Sequence, residues 1–107
     1  MDGDKLDQYR ILNTKRKGIM DRIKEFGKFC SDLEHFHIQP HINAHSVILY
    51  ELELRLIKIE PLYAEFDKVA TRMEDLGYDS CRSEFEKLYF KPLAIAKAKI
   101  KPNFEPR

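Results

Sequence analysis

The feature that most constrains the fold of this 107-residue chain is the regular spacing of apolar side chains in its first third. Between residues 9 and 33 these side chains follow one another at intervals of three and four. The row comprises Tyr9, Leu12, Arg16, Ile19, Ile23, Phe26, Cys30 and Leu33. Such steps keep side chains on one helical face, so the row predicts a helix over residues 5–34 with a coiled-coil-like seam. We expect the charged member, Arg16, to lay its stem along the groove and extend its head into water.

A second run with the same spacing predicts a helix over residues 43–76. Its row comprises Leu49, Leu52, Leu56, Ile59, Tyr63, Phe66, Ala70 and Met73. Because both rows share one period, the two helices can pack along their length as an antiparallel hairpin. Pro61 removes a backbone donor in the middle of the run, which predicts a kink, although the row continues in phase through it. Gly77 follows as a natural C-cap.

A shorter third helix is predicted over residues 80–100, with Asp79 or Ser80 as its N-cap. Its apolar side chains are Phe85, Leu88, Tyr89, Leu93, Ala96 and Ile100. Pro92 interrupts this row and predicts a kink or a division of the helix. The two prolines of residues 102–107 are typical of a linker. The sequence therefore predicts an all-α fold, a long helical hairpin with a third helix packed on it, as a single domain over residues 1–101.

All four histidines fall within the stretch HFHIQPHINAH, from His35 to His45, where the chain must reverse between the first two helices. His41 and His45 are the weak candidates for a metal site. They would share a helical face if the second helix began at Pro40, and would not if Asn43 were its N-cap. A zinc site takes three or four converging ligands, and the sequence has no HExxH motif and no cysteine beside these histidines. We therefore interpret the stretch as a polar, partly exposed turn and expect no metal and no other cofactor.

The remaining residues do not predict catalysis. Cys30 lies on the first row, where a cysteine is most often a small apolar core residue. Cys81 is expected in the first turn of the third helix, and the sequence offers it no acid–base partner. Charged residues make up 35% of the chain and apolar residues 43%, with no apolar run long enough to span a membrane. We expect an intracellular, non-enzymatic protein with reduced thiols and no small-molecule substrate.

The basic residues are concentrated near the C-terminal end, where Lys97, Lys99 and Lys101 form a cluster. Residues 91–107 carry a net charge of +4 and residues 46–90 a net charge of −4, within a chain whose net charge is +1. A lysine cluster can bind nucleic acid through its phosphates. Short lysine runs are also common on solvated helix faces, and we adopt this second interpretation.

Two blocks of the sequence resemble a known family. They are LELRLIKIEPLYAEFDKVATRMEDL at residues 52–76 and EFEKLYFKPLAIAKAKI at residues 84–100. Both are similar to the N-terminal part of Gag-like polyproteins from BEL/Pao-type LTR retrotransposons of animals, and a host gene derived from such an element would look the same. The matching positions are Leu52, Arg55, Leu56, Ile59, Glu60, Tyr63 and Phe66 in the first block and Phe85, Glu86, Tyr89 and Phe90 in the second.

This resemblance implies a structural role, as a Gag-like helical domain for self-association, particle assembly or partner docking. The residues expected to form the contact are Leu52, Leu56, Ile59, Tyr63, Phe66, Phe85 and Tyr89. Two alternatives stay open. One is a host regulatory module that grips a partner peptide with the same helices. The other is an RNA- or DNA-binding domain that uses the basic third helix.

Overall fold

The computed structural model describes residues 2–39 and 41–104. The described chain is built of four helices and contains no strand, which confirms the all-α prediction. The helices are α1 (Asp2–Leu33), α2 (Asn43–Ile59), α3 (Leu62–Asp75) and α4 (Arg82–Phe104). They form an elongated body that measures 62 × 22 × 19 Å.

Helix α1 packs against the run formed by α2 and α3, and the contacts follow in reverse chain order. Near the start of α1, the ring of Tyr9 stacks on that of Tyr78, just beyond α3, with centroids 4.1 Å apart. Near the end of α1, the guanidinium carbon of Arg55 on α2 lies 4.4 Å from the ring centroid of Phe29. The two runs of chain therefore lie side by side with opposite directions.

The second predicted helix is divided into α2 and α3 by a turn at Glu60 and Pro61. Both residues keep right-handed helical dihedrals, with φ −53° and ψ −42° at Glu60 and φ −65° and ψ −15° at Pro61. The turn is therefore a bend in a continuing helical path, as expected of a proline that lacks the N–H for the preceding turn. The kink predicted at Pro61 within the 43–76 helix is therefore confirmed.

The residue that follows Ile59 in the core differs from the predicted one. Ile59 is followed in the core by Leu62, which is 2% exposed, and not by Tyr63, which is 38% exposed. The prediction that Tyr63 continues the buried row is therefore wrong, and Leu62 takes its place in the core. From Phe66 onward the predicted row is again buried, through Ala70 and Met73.

The core forms where the row of α1 meets the other helices. Every member of that row from Ile19 to Leu33 is buried, and Tyr9 and Leu12 pack against the core in part. The buried residues of the other helices include Leu52, Leu56, Ile59, Leu62, Phe66, Val69, Ala70, Met73, Phe85, Tyr89, Leu93 and Ala96. The prediction of the α1 seam is confirmed at these positions.

Gly77 ends α3 in the way the sequence predicts. Its φ of +87° is left-handed, and its N–H bonds the carbonyl of Glu74 at 2.9 Å. The N–H of Tyr78 bonds the carbonyl of Met73, also at 2.9 Å. These two bonds form a Schellman motif, which satisfies carbonyls that the helix end would leave unpaired.

The turn between α3 and α4 is held by α1. Arg16 donates from Nη1 to the carbonyl of Asp79 at 2.8 Å and from Nη2 to Oδ1 of Asn13 at 2.8 Å. Its head, which was expected to extend into water, is partly exposed and also binds protein at these two points. The charged group sits in the seam because the turn presents a carbonyl at that level of the bundle.

The start of α4 differs from the predicted capping. Oδ1 of Asp79 accepts the N–H of Cys81 at 3.0 Å, and the Ser80 hydroxyl donates to Oε2 of Glu74 at 2.5 Å. Cys81 has a φ of 63° and its carbonyl accepts the N–H of Phe85 at 3.1 Å. Cys81 therefore precedes the helix, and does not lie in its first turn as predicted.

Helix α4 runs as one element through Pro92, so the proline does not divide it as one of the two predicted alternatives had it. Pro92 is buried, and its Cγ lies 3.6 Å from where a Cβ on Gly27 of α1 would stand. The proline ring is thus packed between the two helices. Residues 102–104 are part of α4, so the linker prediction is wrong for them, and residues 105–107 of that segment lie outside the described residues.

Candidate protein-interaction surface

Most of the predicted contact residues lie in the core. Six of the seven are buried, namely Leu52, Leu56, Ile59, Phe66, Phe85 and Tyr89. In the folded chain these side chains pack α1, α2, α3 and α4 together and present no surface to a partner. Tyr63 is the member that reaches solvent, and its ring lies 5.2 Å from that of Tyr89 and 5.8 Å from that of Phe90.

A different set of apolar side chains on α2 faces solvent. They follow one another at steps of three, four and three, and each is more than half exposed. The exposed fractions are 66% for Val47, 57% for Tyr50, 65% for Leu54 and 59% for Ile57. We call these four residues the outer stripe. Large apolar side chains that are grouped on one exposed face mark contact sites more often than singly scattered ones do.

The outer stripe lies on the face of α2 opposite the core. It is displaced by two residues from the buried row of Leu49, Leu52, Leu56 and Ile59, and two residues turn a helix by about 200°. A surface helix of a monomer usually has one apolar face and one polar face. Helix α2 has two apolar faces, which is the pattern of a helix that is covered on both sides.

Charged residues border the outer stripe on both sides. On one side, Arg55 donates to Oε2 of Glu51 at 2.8 Å, as the spacing of four predicts, and stacks on Phe29 of α1. Lys58 follows on the same side of the stripe. On the other side lie Glu53 and Glu60, and Oε2 of Glu60 pairs with Nζ of Lys97 on α4 at 3.4 Å. The stripe is therefore an apolar strip with a charged rim.

Sequence reasoning missed the outer stripe, although its spacing is visible in the sequence. Two rows of α2 have the same three- and four-residue steps and a similar apolar content. The row of Leu49, Leu52, Leu56 and Ile59 was predicted to pack on α1 and is buried, but the second row was overlooked. The signal in the sequence was that both faces of this helix carry apolar residues, since such a helix is usually covered on both sides.

The histidine stretch is a turn in which one imidazole has a structural role. Helix α2 begins at Asn43, with Ile42 as its N-cap, so His41 and His45 do not share a helical face. The imidazole Nδ1 of His45 accepts the N–H of Gln39 at 3.1 Å, and its ring meets that of Phe36 at 4.8 Å. Over residues 2–39 and 41–104, no three His, Cys, Asp or Glu side chains converge on a possible metal position. Pro40, on which one alternative depended, lies outside the described residues.

The predicted basic cluster of α4 does not form one patch. Lys97 pairs with Glu60, and Lys99 donates to the carbonyl of Phe36 at 2.8 Å. Lys101 is exposed at the next step. Lys97 and Lys101 are four residues apart and share a face of α4, whereas Lys99 lies off that face and binds the carbonyl of Phe36. The three lysines therefore do not share one face.

The bend at Pro61 leaves an open cleft of about 440 Å³ beside α1. Its floor is apolar and its rim carries charges of both signs, from Arg22, Glu25, Arg55, Lys58 and Glu65. This mixture selects no class of ligand. The cleft lies next to the Lys58 side of the outer stripe, and a chain that packs on the stripe would also border it.

No family model, no curated protein and no solved structure matches this chain. Among the described helices, none has the length and apolar character required to cross a lipid bilayer. What the fold and the surface define is an elongated all-α bundle in which one helix, α2, is apolar on its solvent side as well as on its core side.

Proposed function

We propose that this chain is a non-enzymatic helical domain that docks on protein through the outer stripe. The observation that carries the proposal is the exposure of Val47, Tyr50, Leu54 and Ile57 at heptad spacing on a helix whose opposite face is already buried. Docking a helix onto such a strip would bury apolar surface that the folded chain leaves in water. An intracellular setting, inferred from the two cysteines, belongs to the same proposal.

The resemblance to Gag-like polyproteins supports this function, because it implies a role in self-association or partner docking. It does so through a different surface than the sequence analysis expected. The proposed docking surface is the outer stripe. It lies on the face of α2 opposite the buried residues Leu52, Leu56 and Ile59, which were predicted to form the contact. A host regulatory module would use the same stripe, and only the identity of the partner would differ.

The test is site-specific photocrosslinking in cells that express the protein. A benzophenone amino acid replaces Tyr50 in one variant and the exposed Lys68 of α3 in a control variant. We expect a protein adduct at position 50 that is identifiable by mass spectrometry and is lost when Leu54→Glu is added. Position 68 should give no such adduct. Equal labelling from both positions, or no adduct from position 50, would refute docking through the stripe.

A further inference from the structure

We propose that the partner of the outer stripe is a second copy of this chain, with the two α2 helices parallel and in register. This inference rests on the proposed function and gives it a definite partner. It is argued from three features of α2, which are the period of the stripe, the charges at its borders and the position of Pro61.

The period of the stripe is that of a two-helix seam. Val47 and Leu54 are seven residues apart, and so are Tyr50 and Ile57. These four residues occupy the two apolar positions of a heptad, and in a parallel pair each packs against its own counterpart. The stripe is thus complementary to itself and needs no differently shaped groove.

The bordering charges select the parallel direction. Glu53 precedes Leu54 and Lys58 follows Ile57, so they flank the seam on opposite sides. In a parallel pair, the residue at the Glu53 position of one helix faces the residue five further along the other, which is Lys58. By symmetry the pair forms this contact twice, and each time Glu53 of one copy faces Lys58 of the other. Within the described residues neither side chain forms a salt bridge of its own chain.

An antiparallel pair would bring like charges together. Centred on the stripe, its two-fold axis would pass near residue 52. Glu51 would then lie close to its own counterpart and Glu53 close to its own counterpart. Like charges at such bordering positions disfavour an arrangement, so they act against this one.

Pro61 limits the length of the seam. It occupies the position seven residues after Leu54, where the next apolar contact would fall, and α2 ends just before it. The stripe therefore extends over about 15 Å of helix. Roughly ten residues per copy would take part, about half of what a standard interface uses, so we expect a weak and reversible dimer.

The first experiment is sedimentation equilibrium of the full 107-residue chain over a range of concentrations. We expect the mass to rise from 12.7 kDa towards twice that value. Leu54→Glu should abolish the rise, with unchanged circular dichroism and thermal unfolding, because Leu54 is exposed. Ala64→Glu, an exposed position on α3 with the same change of charge, is the matched control and should dimerise as the wild type does. A wild-type chain that stays monomeric, or a dimer that Leu54→Glu leaves intact, would overturn the proposal.

The second experiment tests the register by exchanging charges. Glu53→Lys places like charges across the seam of its own dimer, and so does Lys58→Glu. Each variant should dimerise more weakly than the wild type at low salt. An equimolar mixture of the two should associate again, because each chain then supplies the opposite charge to the other. If the mixture associates no better than either variant by itself, the pairing of residues 53 and 58 is wrong.

The third experiment tests direction by disulfide trapping. In a Cys81→Ser background, Val47→Cys should form a disulfide-linked dimer under mild oxidation, because residue 47 faces itself only in a parallel pair. In an antiparallel pair it would face Ile57 of the other copy, and a dimer that resists trapping at position 47 would overturn the parallel arrangement. The outcomes also separate this inference from the proposed function. A monomeric purified chain whose position 50 still labels another protein in cells would refute the dimer and leave docking supported.

Discussion

The rings of Phe66 on α3 and Phe85 on α4 lie face to face, with centroids 4.0 Å apart and planes 5° from parallel. Both side chains are buried, at 2% and 1% exposure. Phe85→Ala would leave a cavity at the junction of the two helices. We expect it to lower the free energy of unfolding by about 3–5 kcal/mol, measured by urea denaturation.

The matched control for this substitution is Phe90→Ala. Phe90 belongs to the same helix and the same aromatic cluster, but it is 53% exposed. Its truncation removes little buried area, so we expect a loss under about 1 kcal/mol. Similar losses for the two variants would contradict the placement of Phe85 in the core.

The two glycines Gly77 and Gly18 should respond to alanine with opposite signs. Gly77 has a φ of +87°, where a Cβ costs about 1–2 kcal/mol, so Gly77→Ala should lower the melting temperature. Gly18 lies inside α1 with nothing within 4 Å of an added Cβ. Gly18→Ala should therefore raise the free energy of unfolding by up to about 1 kcal/mol, because alanine is the better helix former. Thermal unfolding of both variants beside the wild type is the measurement, and shifts of the same sign would contradict it.

The two cysteines should differ in reactivity towards a thiol reagent such as Ellman's. Cys30 is fully buried, and burial raises the pKa of its thiol from 9.0 to about 11, although Arg55 opposes the shift. Cys81 lies in the turn before α4 and is partly exposed. We expect one thiol per native chain to react, and two after unfolding, since the thiolate is the reactive form. In Cys81→Ser the native chain should not react, and rapid labelling of that variant would place Cys30 outside the core.

The same burial predicts a loss of stability at alkaline pH. A group whose folded pKa is raised stabilises the fold fully below its unfolded pKa. For Cys30 the contribution is therefore present below pH 9.0 and is lost as the pH rises towards about 11. Cys30→Ala should show a smaller decline over that range than the wild type does. An equal decline would mean that other groups cause the effect.

The clamp between Glu74 and Arg82 should make stability depend on acid pH. Arg82 donates to Oε2 of Glu74 at 2.6 Å, and this bond, followed by that of Ser80, holds the pKa of the carboxyl below its usual 4.5. A depressed folded pKa stabilises the fold above the unfolded value, and the contribution is lost as the pH falls through the folded pKa. The difference in unfolding free energy between wild type and Glu74→Gln should therefore narrow below pH 4.5.

The control for this clamp is the same comparison in an Arg82→Met background. Without the guanidinium, the main cause of the depressed pKa is gone. Glu74→Gln should then change the unfolding free energy less, and with a weaker dependence on pH. If Glu74→Gln changes the unfolding free energy by the same amount, and with the same pH dependence, in both backgrounds, the two residues act independently.

The parts of the fold that could be predicted are those for which the local sequence allows only one structure. Helix α1 has a single apolar row, so only one face can enter a core, and Ile19, Ile23 and Phe26 are buried as predicted. Gly77 could be placed because a helix end requires a residue that tolerates a left-handed conformation. The charged residue Arg16 could be placed in the seam, but its binding to Asp79 depends on a turn that is 63 residues away.

The candidate site could not be predicted for a related reason. Helix α2 has two apolar rows of equal period, of which the buried one was predicted and the outer stripe was overlooked. Burial of Leu52 and Leu56 leaves Leu54 and Ile57 in water, and the choice depends on how α1 and α4 enclose the helix. The exposure of Tyr63 could not be predicted either, because Leu62 and Tyr63 are adjacent apolar residues and the packing of the helices places Leu62 in the core.

The sequence by itself determined that this chain is helical, where most of its helices begin and end, and which face of α1 is buried, because those properties follow from spacing and backbone chemistry within one segment. The tertiary structure decided that the second apolar face of α2 stays exposed, where α4 crosses Gly27, and what Lys97 and Lys99 bind. Those outcomes depend on contacts between segments that are far apart in the chain, and such contacts do not follow from the spacing of residues within one helix.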